Sequence, residues 1–242
     1  MPEPATPTNY VNFRDLGGHA TPSGPVRTGR VFRSDSLAYC DPTDIERLVT
    51  THGVRTVVDL RREHEVDVAP MYGLRDAGVR IEHRSLIDPA VPPLQTTDLV
   101  DSTLADRYRS ILASSGEQFV GVVGLIADER NQPVVFQCAA GKDRTGLVAA
   151  MVLQVLGVAD ADIVADYAKT ATVIDLIVAR IASRMPEGRE APGPRIMSAE
   201  AATMEAALAW LRDEHGGAEG YLLAHGMRPE QLTALRTALL PA

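Results

Sequence analysis

The sequence predicts an α/β fold, a central and mainly parallel sheet flanked by helices, and three observations predict it. VRTVVDLR, Val54 to Arg61, is an apolar block with polar ends, the pattern of a strand covered on both faces. VVFQC, Val134 to Cys138, is a second such run, and it passes through a short loop directly into a segment of helical character. Between and after these runs, apolar residues recur at helical spacing, as helices packed on a sheet require.

Taken in order, residues 1–8 read as a proline-rich tail and residues 9–242 as a single domain. Gly17, Gly18, Pro22, Gly24 and Pro25 mark turns, and VRTGRVFRS reads as a short strand. Asp41 and Pro42 start a helix with Ile45, Leu48 and Val49 on its apolar side, and Gly53 ends it. After the Val54 strand, a helix is expected over Glu63 to Tyr72, and VRIEHRSLI alternates like another strand. A proline-bearing loop, Asp88 to Thr97, follows, then helices over Asp98–Ala113 and Glu117–Glu129. Past Cys138, the residues Leu147, Val148, Met151, Val152, Val155 and Leu156 define a largely buried helix closed by Gly157. The remainder reads as helical: a short helix capped by Asp160, one over Val173–Met185, a turn-rich break, one from Ser198 to His215, and a last one from Pro229 to Leu240.

The 242 residues are 45% hydrophobic, enough for a substantial core. A net charge of −8 opposes general attraction to nucleic acid or anionic membrane, so any anion-binding field must be local. Two cysteines, Cys40 and Cys138, make no disulfide framework. The six histidines form no metal-ligand pattern, and no cofactor is expected. The N-terminus lacks a basic region followed by an apolar run, and no run of about 20 apolar residues occurs. A cytoplasmic protein, or one exported without a recognisable signal, is expected.

The chemistry concentrates in CAAGKDRTG. Cys138 and Arg144 stand five residues apart, in a loop between strand and helix. Such a loop can turn the backbone N–H groups of Ala139, Ala140, Gly141, Lys142, Asp143, Arg144 and Thr145 around an oxyanion, with sulfur at the floor and guanidinium at the rim. The following helix aims its orphan amides and dipole at the same point. A free thiol of pKa about 8.5 drops to roughly 3.5–7.5 in such surroundings, which raises the thiolate fraction at neutral pH only about thirty-fold. Preorganised donors are worth more, and the planar fork of Arg144 is the best of them.

CAAGKDRTG, together with NFRDLGG, VVDLRREHE and VADYAKT, resembles the bacterial tyrosine phosphatase family over about Asn9 to Leu240. The resemblance implies a cysteine-phosphatase fold with a helical lid, placed within Asp98–Ala113. It implies hydrolysis of phosphotyrosine, and of phosphoserine, phosphothreonine or phosphoinositides in some members, through a cysteinyl-phosphate on Cys138. Partners are then phosphorylated proteins or phosphoinositides, without metal. Asp88, on the loop after a strand, and Asp143, inside the phosphate loop, compete as general acid, with Asp88 slightly favoured. Lys142 is expected to add charge at the pocket rim, where it would tolerate a second phosphate, and Thr145 to donate to the Cys138 sulfur or cap the helix.

One position departs from the family. Gln137 stands where His usually precedes the nucleophile, and because Gln never carries positive charge, a less activated thiol and a slower enzyme are expected. A weakly active or inactive phosphate-binding module is the alternative. A nucleotide-binding loop is disfavoured, since GKDRTG lacks the upstream glycine and carries Asp143 where Ser or Thr would bind magnesium.

Overall fold

The computed structural model describes residues 8–87, 103–184 and 198–241. Five strands form one sheet: β1 Arg14–Asp15, β2 Val31–Ser34, β3 Thr56–Asp59, β4 Arg80–His83 and β5 Val134–Gln137. Their order is β1-β2-β5-β3-β4, with only β1 antiparallel to its neighbour. The two-residue edge strand β1 was not expected, being too short to show any alternation.

The central strands are buried on both faces, as their apolar content requires. Val134 and Phe136 of β5 join the larger core with Val58, whereas Val135 faces a second core with Val57, Phe32, Leu48 and Leu74. Register places Ser34, Gln137, Asp59 and His83 in one row across the C-terminal edge of β2, β5, β3 and β4. Ligand sites of open α/β sheets lie outside this edge. The loop after Gln137 leaves from the middle of the row.

Helix α1, Pro42–Glu46, has the expected Asp41 cap, reciprocated by Asp44. The helix anticipated over Glu63–Tyr72 is instead two, α2 Glu63–Val68 and α3 Tyr72–Asp76. Pro70 is the cause, since it disfavours helical geometry at Ala69, which sits at φ −141°. Helices α4, Leu104–Ser114, and α5, Gly116–Ala127, follow, bent by 81° at their junction. The lid was expected within Asp98–Ala113. The described part of that stretch is a core helix, with Tyr108, Ile111 and Leu112 buried. No single helix among the described residues is long and apolar enough to cross a membrane.

Helix α6, Asp143–Val155, runs buried behind the sheet, followed by α7, Asp160–Ala168. A 3-10 turn, Lys169–Val173, then precedes α8, Ile174–Ala182. Helix α9, Ala201–His215, starts three residues later than Ser198 and ends at Gly216, whose φ of 71° suits glycine. Helix α10, Ala218–Ala224, was not read from the sequence, and α11, Pro229–Leu239, closes the fold with Pro at its first turn.

Candidate active site

Strand β5 delivers Cys138 to the sheet edge, where it is buried at 2% exposure, and α6 begins five residues later at Asp143. In the intervening loop, three successive carbonyls are held from outside. Ser36 N–H donates to the Ala139 carbonyl at 3.3 Å, and Asn12 Nδ2 donates to those of Ala140 and Gly141 at 3.1 and 3.0 Å. Arg33 Nη2 also donates to the Gly141 carbonyl, at 2.9 Å. Across a planar trans peptide the next N–H points away from the carbonyl, so the amides of Ala140, Gly141 and Lys142 turn to the concave side. A loop turned this way presents three amides to one point, a concavity of the kind that binds anions.

The loop has no room to relax. Gly141 has φ +64°, and a Cβ there would lie 2.5 Å from the Asp35 backbone nitrogen and 2.6 Å from the Ser34 carbonyl oxygen. Arg33 is itself fixed, donating to Asp166 Oδ2 at 2.7 Å while Arg14 Nε donates to Oδ1 at 2.8 Å. Burial alone would raise the Asp166 pKa, but Arg33 and Arg14 overcome it and bring the carboxyl down to about 2.

Arg144 is gripped by Glu65 of α2, with Nη1 donating to Oε2 at 2.6 Å and Nη2 to Oε1 at 3.0 Å. Nη1 also reaches the Leu60 carbonyl at 3.4 Å. These bonds engage the end of the guanidinium. The other fork, Nε–H with the second Nη2 proton, has no partner among the described residues and matches two phosphate oxygens. Burial tends to raise Glu65, yet the Arg144 hydrogen bonds and charge outweigh it and set its pKa at about 2.

The other sequence-predicted residues fall as follows. Asp143 accepts from the Tyr108 hydroxyl at 2.8 Å, and Tyr108 in turn meets the Tyr167 hydroxyl at 2.9 Å. Burial, followed by the Asp143 charge, raises the pKa of both phenols, so both stay protonated. Lys142 is not at the rim: its side chain is fully buried, donating to the Ser198 carbonyl at 2.9 Å and lying 3.3 Å from Asp143. A second phosphate cannot be its partner there. The buried Thr145 hydroxyl makes no hydrogen bond among the described residues, to Cys138 or otherwise, so neither expected role is realised there. Asp88 lies outside the described residues.

Gln137 Nε2 donates to Asp59 Oδ1 at 2.6 Å, while Asp59 is held by Arg61 Nε at 2.9 Å and Nη2 at 2.7 Å. The Asp59 and Arg61 pair is thus a buried support beneath the loop. A cleft of about 450 Å³ opens beside it, lined by Ala139 and Glu65 and by the apolar parts of Tyr39, Val68, Ile177 and Ile181. Sequence reasoning assigned no role to Asn12, Arg14, Glu65, Tyr108 or Asp166. Four of them lie in the strings NFRDLGG, VVDLRREHE and VADYAKT.

Loop, sheet edge and arginine fork together make a site suited to a cysteine-dependent phosphatase. The chain belongs to the tyrosine phosphatase family, whose sequence profile matches residues 6–241. A tyrosine-protein phosphatase of Nostoc commune is 33% identical over 207 residues, 81% of this chain and 70% of that protein. The triple specificity protein phosphatase PtpB of Mycobacterium tuberculosis is 27% identical, with 95% of this chain and 96% of that protein covered. Among solved structures, the core catalytic domain of the PP-IP phosphatase SIW14 from S. cerevisiae aligns over 72% of this chain and 92% of its own, with 15% identity and a TM-score of 0.44.

Proposed function

We propose that this protein hydrolyses phosphate monoesters, phosphotyrosine foremost, through a cysteinyl-phosphate on Cys138. The observation that carries the reading is the concave loop with a buried sulfur at its start and the open Nε and Nη2 edge of Arg144 at its end. The phosphate accepts from the loop amides and from Arg144, with the N-terminus of α6 adding its dipole. Cys138 Sγ attacks phosphorus, a P–S bond forms, and the ester P–O bond breaks. The departing oxygen takes a proton from an aspartic acid, Asp88 or Asp143. Water then attacks the phosphocysteine, giving its proton back to that aspartate; the thiolate leaves, and inorganic phosphate is released. Charge on the transferring group is stabilised throughout by donors already in position, which is the largest contribution to rate.

The relatives named as tyrosine-protein and triple specificity phosphatases support a phosphorylated protein as substrate. The apolar walls of the cleft also favour a phosphorylated aromatic ring. The test is phosphate release from a phosphotyrosyl peptide in the presence of a chelator. Wild type should turn over and Cys138→Ser should not; tight binding of the peptide without turnover by wild type would leave only a phosphate-binding module.

A further inference from the structure

The cleft beside the phosphate loop is lined by Arg184, a cation without a carboxylate partner among the described residues. Arg184, just past the end of α8, lays its guanidinium 3.8 Å over the centroid of Tyr39, which also lines the cleft. Tyr39 is 37% exposed, and Arg184 makes no ion pair among the described residues.

The charged side chains Asp35, Arg180, Arg61 and Glu65 of the cleft are engaged. Asp35 Oδ1 accepts from the amides of Val11 and Asn12 at 2.9 Å each, and Oδ2 lies 3.4 Å from Arg180. Arg180 also donates to the backbone carbonyls of Asn9 and Thr8. Arg61 is held by Asp59, and Glu65 by Arg144. Arg180 lies one helical turn before Arg184, and with Arg180 and Arg61 engaged, Arg184 is the arginine of the cleft left without a carboxylate partner among the described residues. It reaches that position on a protein whose net charge is −8.

We propose that Arg184 is a specificity residue that reads a carboxylate beside the phosphotyrosine of a protein substrate. This rests on the phosphatase reading above. The phosphorylated ring enters between the apolar walls, Arg184 leaves the Tyr39 face, and its guanidinium pairs with an Asp or Glu side chain flanking the phosphotyrosine. An exchange of a cation–π contact for a charge pair at a solvated rim yields a modest preference that salt screens.

The experiment compares two phosphotyrosyl peptides, one with glutamates flanking the phosphotyrosine and one with alanines, by kcat/KM. Wild type should favour the acidic peptide about fivefold at low salt, and the ratio should approach one near half-molar salt. Arg184→Ala should bring the ratio to about one, Arg184→Lys should retain part of it, and Arg184→Glu should invert it. Because the readout is a ratio within one variant, a change in folded fraction does not move it. A wild-type ratio near one, a ratio unaffected in Arg184→Ala, or a stronger preference for phosphoinositide vesicles than for either peptide would overturn the proposal while leaving the phosphatase reading intact. Absence of any Cys138-dependent turnover would overturn both.

Discussion

Glu65 grips the end of the Arg144 guanidinium with both carboxylate oxygens, at 2.6 and 3.0 Å, and leaves the Nε and Nη2 edge without a protein partner among the described residues. The pair joins α2 to the start of α6 across 79 residues of sequence. It fixes the plane of the arginine before a phosphate arrives, so little reorganisation remains at the transition state.

Replacing Glu65 by Gln keeps the shape but removes the charge that orients Arg144. The expected result is a fall in kcat of about 10- to 100-fold. Steady-state kinetics on a phosphotyrosyl peptide, with circular dichroism to verify folding, measure it. Unchanged kcat would mean that Arg144 holds its pose without Glu65.

Asp166 lies between Arg14 and Arg33, and Arg33 is 1% exposed. Asp166→Asn leaves a buried cation unpaired, a loss of about 3–5 kcal/mol at neutral pH. The folded carboxyl titrates at about 2, below the ordinary Asp value of about 3.9. Its stabilisation is therefore complete above about pH 4 and lost as pH falls through about 2. Urea unfolding should show a large gap between wild type and variant at pH 7 that narrows as pH falls below 4. A constant gap down to pH 2 would contradict this linkage.

Gly141→Ala places a methyl group 2.5 Å from the Asp35 backbone nitrogen, in a residue whose φ is +64°. The loop must shift, and its carbonyl bonds to Asn12 and Arg33 shift with it. Destabilisation of at least about 2 kcal/mol and loss of nearly all activity are expected. Thermal melts and phosphate release test this, and near-wild-type activity would contradict the geometry described.

The parts of the site visible in the sequence are those that chain neighbours determine. Cys138 and Arg144 share one strand, loop and helix, so their spacing alone implied an anion cradle. The partners that hold the cradle are remote: Asn12 is 128 residues from Ala140, and Asp166 is 133 from Arg33. No periodicity records such pairs. Lys142 looked like a rim charge because the sequence does not show which way a side chain turns, and here it turns inward to Ser198. The break between α2 and α3 is marked in the sequence by Pro70 alone, within a stretch whose other residues suit a helix. Strand β1 and helix α10 were missed because two and seven residues carry little pattern.

Gln137 donates to Asp59 at 2.6 Å from directly below the loop. Gln137→His keeps a ring N–H for Asp59 and adds a group able to carry positive charge beside Cys138. Iodoacetamide should then alkylate Cys138 faster at pH 6, and kcat should rise by about three- to tenfold. Equal alkylation rates in the two proteins would show that Gln137 does not limit the thiol.

The central claim is that Cys138 carries the phosphoryl group between the two chemical steps. Acid quenching during turnover of a phosphotyrosyl peptide, followed by intact-protein and peptide mass spectrometry, tests it most directly. One phosphoryl group on the peptide containing Cys138, absent in Cys138→Ser and accumulated in a variant slowed in hydrolysis of the intermediate, is the predicted result. Turnover that proceeds in Cys138→Ser, or a phosphoryl group trapped on another residue, would contradict the account.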